Sequence, residues 1–143
     1  DNIDVNIIQI PFNVFDQRAL HNNWFEKAKK RNKLIFIRSI YLQGLLLMDL
    51  DNVPEKLVAA KIYIKKLDDI SNQLEMRKNQ LCLSFVNTIA KDSSLLFGCE
   101  TISQANENLD IFNKIKDLDK SAINTIVNSF EGISEGIYNP TKW

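Results

Sequence analysis

Arg38, Ser39, Tyr41, Gln43 and Gly44 follow directly on the apolar run Leu34-Ile35-Phe36-Ile37. A run this short, with no polar alternation, reads as a strand covered on both faces, as in a parallel sheet. Ligands of α/β folds sit beyond the carboxyl ends of such strands, so a guanidinium, a hydroxyl and an amide clustered there are placed to bind. Gln9 stands in the same relation to residues 5–10, a β-branched run stopped by Pro11. Gly98 closes a third apolar run at residues 93–98, with Thr101 and Ser103 behind it as helix caps. The plain alternative at each place is a buried strand and its turn.

Other chemistries are poorly supplied. The chain has one histidine, and its cysteines, Cys82 and Cys99, are distant from each other and from His21, so no zinc cluster is expected. Two cysteines in 143 residues do not make a disulfide framework, and Cys82 sits in the apolar run Leu81-Cys82-Leu83 as a reduced core residue. That usage points to the cytoplasm. Lys plus Arg (18) balance Asp plus Glu (18), so no net field favours nucleic acid or an anionic membrane. No apolar run approaches the roughly 20 residues of a membrane span. The first residues lack a basic start and an apolar signal core, and there is no initiator Met, which suggests a chain that begins part-way through a longer protein.

The elements that must position these residues follow from periodicity. A helix is expected over 17–31, with Leu20, Trp24, Phe25 and Ala28 inward and Lys27, Lys29, Lys30 and Arg31 in water, closed by Asn32. His21 on that helix reads as solvated, and Trp24 as a packing residue. A connection over 44–52 carries the cluster Leu45 to Met48, and Asp51 or Asn52 caps a helix with Pro54 in its first turn. Leu57, Ala60, Ile64, Leu67 and Leu74 form its stripe. After a break at 76–79, Leu81, Phe85 and Ile89 mark another helix. Ile102, Ala105, Leu109 and Phe112 mark the inward face of the next, and Ile123, Val127 and Phe130 that of the last. Strands alternating with helices mean βαβ units, one α/β domain over 1–143 and a parallel sheet. Three strands cannot close a barrel and leave two open edges.

Three motifs, in order, carry a resemblance. Ile8-Gln9-Ile10-Pro11-Phe12-Asn13, then Arg38-Ser39-Ile40-Tyr41-Leu42-Gln43-Gly44-Leu45-Leu46, then Phe97-Gly98-Cys99-Glu100-Thr101 through Glu107-Asn108, with the tail Tyr138-Asn139-Pro140-Thr141-Lys142-Trp143, resemble the C-terminal part of an aldo/keto reductase. The resemblance implies strands six to eight of a (β/α)8 TIM barrel whose mouth binds a nicotinamide dinucleotide, NADP or NAD. It implies that Gln9 bonds the nicotinamide carboxamide and that Arg38 lies against the nicotinamide ring, where a planar guanidinium can stack. It places Ser39, Tyr41 and Gln43 on the loop around the pyrophosphate, and Gly98, Gln104, Glu107 and Asn108 at the adenosine end, next to the free N–H groups of a helix start. Gly98 and Gln104 stand where many members carry Lys and Arg, which leaves NADP against NAD open.

The structural alternatives are that Gln9 satisfies backbone groups, that Arg38 pairs with Glu100, and that Glu107 and Asn108 are a solvated helix face. The family's catalytic Tyr, Lys, Asp and His come from earlier strands and have no counterpart here, so no catalytic residue is assigned and the chain alone is expected to be inactive. Tyr41 is not the proton donor. Two readings follow. One is the C-terminal fragment of an NAD(P)H-dependent oxidoreductase reducing aldehydes or ketones, sugars among them. The other is a non-catalytic module that self-assembles through its strand edges, as a homo-oligomer.

Overall fold

Three short parallel strands form the frame on which the site is built. The computed structural model describes residues 5–143. Strands β1 (Ile7–Pro11), β2 (Leu34–Arg38) and β3 (Ser94–Leu95) lie in the order β1-β2-β3. β1 runs parallel to β2 with Ile7 opposite Leu34 and Pro11 opposite Arg38; β3 adds in parallel with Phe36 opposite Ser94. The ladder runs through Pro11 rather than stopping before it. Leu34 donates to the Asn6 carbonyl and Phe12 donates to the Arg38 carbonyl, so even-numbered residues of this strand face β2. Pro11 therefore turns its missing N–H to the outer edge, where no ladder bond is lost. β3 is shorter than the run 93–98 promises: Leu96 makes one more bond to the Ile37 carbonyl and the chain then leaves the sheet.

Contrary to the expectation from Leu34 to Ile37, the sheet is covered on one face only. Ile10, Ile35 and Ile37 point to the helices and are buried. Ile7, Gln9, Leu34 and Arg38 point the other way and are exposed, Ile7 at 54% and Leu34 at 59%. An apolar run thus filled both faces in composition while the fold covers only one.

The helical layer carries the core. α3 (Lys61–Gln73) buries Ile64, Leu67 and Ile70, and α4 (Lys78–Ile89) buries every residue from Leu81 to Val86. Phe12 lies edge-on to Phe25 and stacked on Phe85, with centroids 5.1 and 5.6 Å apart. Phe15 bridges to Tyr63 and Phe130. α6 (Lys120–Ser129) adds Ala122 and Ile126 to this core. The short α7 (Glu135–Tyr138) leads to a terminal 3-10 turn at Pro140–Lys142.

Several helix boundaries differ from periodicity. The helix expected over 17–31 is two, α1 (Arg18–His21) and α2 (Trp24–Lys30), separated by Asn23 at φ 55°. Asn22 turns its side chain back to the Arg18 carbonyl and ends the first helix; asparagine tolerates the left-handed region and competes for backbone groups. Asn32, also left-handed at φ 50°, closes α2 with Lys33 N–H donating to the Ala28 carbonyl. His21 is exposed and Trp24 half-buried against the core. Asp51 and Asn52 cap nothing: they lie in a 3-10 turn, Leu50–Asn52, and a second one, Glu55–Ala60, kinks at Leu57 before α3 begins.

The largest correction concerns α5 (Ile102–Lys114). Its apolar residues Ile102, Leu109 and Phe112 are 81%, 60% and 43% exposed, and Ile111 is its one buried residue. The stripe facing the protein is Ala105, Asn108, Ile111 and Ile115, rotated by one residue from the expected one. Polar side chains on the same helix hold it there, as the site shows.

Candidate functional site

The mouth begins at the end of β1. Asn13 is fully buried, and its Oδ1 accepts from the N–H groups of Phe15 and Asp16, both at 2.9 Å. Its Nδ2 donates to the Ser39 carbonyl at 2.9 Å, tying this loop to the end of β2. Asp16, its side chain fully buried, takes both ends of the Arg18 guanidinium at 2.8 Å. That bond holds Arg18 above its ordinary value, against some desolvation, and the guanidinium lies 4.8 Å from the Tyr138 ring centroid.

The loop after β2 is the most contorted backbone in the described chain. Ser39, Leu42, Gln43 and Gly44 have φ of 61°, 50°, 52° and 84°. Only the last is glycine, so three L residues sit in a region that side chains avoid. Ile40, Leu42, Leu45 and Leu46, each at most 2% exposed, pin the loop into the core and hold that strain. Leu42 donates to Ser39 and Gly44 to Tyr41, leaving the N–H groups of Ile40, Tyr41 and Gln43 without a protein acceptor among the described residues.

Above this loop opens a cleft of about 950 Å³. Ser39 to Gly44 form one side, Phe97 to Glu100 another, and Gln104, Glu107 and Asn108 of α5 a third. Asn79, at the start of α4, donates to Glu107 at 3.0 Å, and Asn108 donates to the Cys99 sulfur at 3.4 Å. Gln104 accepts from the Glu100 N–H while its own N–H is capped by Thr101. These bonds orient α5. The Tyr41 ring lies 6.1 Å from that of Phe97, and its hydroxyl is buried without a hydrogen-bond partner. Burial raises that hydroxyl far above its ordinary value, with the thiols of Cys82 and Cys99 and the Glu107 carboxylate adding to the shift. Such a group donates and does not ionise.

A smaller hollow of about 200 Å³ adjoins the cleft, sharing Ser39 and Gln43. Its walls are Pro11, Asp16, Arg18, Arg38 and the tail residues Tyr138 to Thr141. Arg38 is exposed here and donates to the Ser39 hydroxyl at 3.1 Å; Glu100 lies on the wall of the larger cleft. Gln9 borders neither hollow. It sits on the open face of the sheet, one strand over and two residues back from Arg38, roughly 8 Å away by strand rise and spacing.

Of the residues singled out from sequence, Ser39, Tyr41, Gln43, Gly98, Gln104, Glu107 and Asn108 meet in the large cleft, Arg38 faces the small one, and Gln9 faces the open sheet. Asn13, Asn79 and Cys99 were not singled out. Asn79 falls in the break expected at 76–79 and Asn13 in a loop, and only their long-range partners reveal them. No group of metal-ligating residues occurs among the described residues, and no described helix is long and apolar enough to cross a membrane.

No family model matches the sequence, and no curated protein does. Solved structures do. The aldo-keto reductase AKR11C1 from Bacillus halodurans matches in its holo form with TM-score 0.68 at 14% identity, over 98% of this chain and 46% of that one. The fold matches part of the barrel of aldo-keto reductases. The apo form of the same reductase gives TM-score 0.67 at 16% identity, over 98% of this chain and 47% of that one. A thermostable aldo-keto reductase solved with the inhibitor epalrestat gives 0.59 at 15% identity, over 86% and 39%. The chain thus spans 39–47% of the length of these reductases, consistent with their C-terminal portion, and the open sheet face is where the rest of such a barrel would stand.

Proposed function

We propose that this chain is the cofactor-binding C-terminal part of an NAD(P)H-dependent oxidoreductase resembling the aldo-keto reductases, acting on aldehydes or ketones, sugars among them. The observation that carries the proposal is the groove across the strand ends, in which the Arg38 guanidinium, a loop with free backbone amides and a cleft lined by side-chain amides and carboxylates follow one another. Its chemistry fits a dinucleotide. Arg38 offers a planar face for an aromatic ring. The free N–H groups of Tyr41 and Gln43 suit a pyrophosphate, as in backbone nests. The cleft beyond them is large enough for a nucleoside. Gln9, on the open sheet face behind Arg38, offers a side-chain amide to a carboxamide reaching down from the mouth.

When bound, the nicotinamide supplies a hydride. This chain's own residues hold and orient the cofactor and exclude water from one side of it. The acid that protonates the carbonyl oxygen would come from the part of the barrel opposite the open face, because no Tyr–Lys–His set lies at this rim among the described residues. The chain alone therefore binds and does not turn over. Mixing the purified chain with NADH or NADPH and a panel of aldehydes should give no oxidation of the cofactor, while cofactor fluorescence reports binding. Appreciable turnover by the chain alone, or no binding of either cofactor, overturns the proposal.

A second reading has its own observation. The exposed Ile7, Ile8 and Leu34 beside the outer edge of β1, which no described strand pairs, make a surface that pairs with other chains. On this reading the chain is an association module, and light scattering would find a defined oligomer.

A further inference from the structure

The large cleft carries two carboxylates, Glu100 and Glu107, and no Lys or Arg among the residues that line it. The cations of the groove, Arg38 and the Asp16-paired Arg18, lie in the smaller hollow, on the far side of Ser39 and Gln43. The charge along the groove therefore runs from positive, past neutral amides, to negative. The Glu107 carboxylate is held by the Asn79 amide, and the Glu100 backbone, though not its carboxylate, by the Gln104 side chain. Gln104 spends its Oε1 on that bond, and its remaining Nε2 donor is neutral and carries no charge to offset an anion. Nor does lack of room explain the missing cation, since a Cβ added at Gly98 meets nothing within 4 Å.

We infer that the dinucleotide this cleft accepts is NAD rather than NADP, with Glu100 and Glu107 receiving hydrogen bonds from ribose hydroxyls and repelling a 2′-phosphate. The inference rests on the reading of the groove as a dinucleotide site. A carboxylate at the ribose is how unphosphorylated dinucleotides are chosen elsewhere, and an arginine is how the phosphorylated ones are. A phosphate monoester carries roughly −1.5 to −2 charges at pH 7. Against two carboxylates and no cation, that charge is uncompensated wherever in the cleft it falls, whereas hydroxyls are satisfied there.

Calorimetric titration of the 143-residue chain with NAD+ and NADP+, and with ADP-ribose and its 2′-phosphate, tests this. Binding of the unphosphorylated member of each pair should be tighter by about tenfold or more, equivalent to about 1.4 kcal/mol. The gap should narrow at high salt and in E100Q and E107Q, and Gly98→Lys should raise affinity for the phosphorylated ligands most. All these positions are exposed, and circular dichroism verifies the fold of each variant. Equal affinity, or preference for the phosphorylated ligands, overturns the inference and leaves the dinucleotide reading standing. A preference that neither salt nor any of these substitutions changes overturns the role given to the carboxylates. Binding of none of the four overturns the dinucleotide reading, and the inference with it.

Discussion

Asn13→Ala removes the side chain that joins the two strand ends, and its cost can be worked from the structure. Three hydrogen bonds end on that side chain, at 2.9 Å each. At a net of about 1 kcal/mol apiece the loss is about 3 kcal/mol. Asn13, Phe15 and Asp16 are buried, so water cannot readily replace the two lost acceptor contacts, and the cost leans toward about 4 kcal/mol. A domain of this size holds about 5–15 kcal/mol. With a urea slope of about 2 kcal/mol per molar, the unfolding midpoint falls by about 1.5–2 M at unchanged slope. Asn13→Asp separates the parts. It keeps an acceptor for Phe15 and Asp16 but sets a carboxylate oxygen against the Ser39 carbonyl, so its destabilisation should relax as pH falls and that carboxyl protonates. Both variants free Ser39 from its left-handed geometry and should weaken dinucleotide binding. A loss below about 1 kcal/mol for Asn13→Ala, measured by urea unfolding, would show that the bonds are not cooperative parts of the fold, and the reasoning would fail.

The cysteines should separate cleanly. A thiol reagent near pH 8 should label exposed Cys99 and not buried Cys82, and labelled protein should lose dinucleotide affinity because Cys99 lines the cleft; labelling of both in folded protein refutes the burial. Burial pushes the Cys82 thiol up from 9.0 to about 12. The folded state holds that proton more tightly, so the thiol's contribution is full below pH 9.0 and is lost as pH rises toward about 12. The stability difference between wild type and Cys82→Ala should shrink over that window, and a flat difference counts against it. Leu34→Lys places a charge on the open sheet face at a residue already 59% exposed. It should change stability by less than about 0.5 kcal/mol and abolish any oligomer seen by light scattering; an oligomer that survives it does not use this face.

Much of the frame is legible in single runs of residues. Ile8, Ile10, Ile35 and Ile37 declare strands because β-branched chains suit a pleated surface, and Leu81, Phe85 and Ile89 declare a helix by their spacing of four. Asn32 announces its helix end because few residues take φ 50° at low cost. Which stripe of α5 faces inward was not legible. Ile102, Leu109 and Phe112 have the right period, but Glu107 is tied to Asn79, 28 residues back, and Gln104 and Asn108 to the loop just before the helix, so polar residues rather than these face the protein.

The residues at the three strand ends, and the chemistry they offer, were set by local sequence: Arg38 after an apolar run, Gly98 after another, Gln9 before a proline. Their division between the cleft, the smaller hollow and the open sheet face was decided by tertiary structure. So was the bare face beneath Gln9 and Arg38, since apolar composition records what a strand can bury and not whether anything lies opposite it. Periodicity is a property of neighbours in the chain. The bond from Asn13 to Ser39 and the bond from Asn79 to Glu107 join residues 26 and 28 positions apart, and only the folded chain brings such pairs within reach.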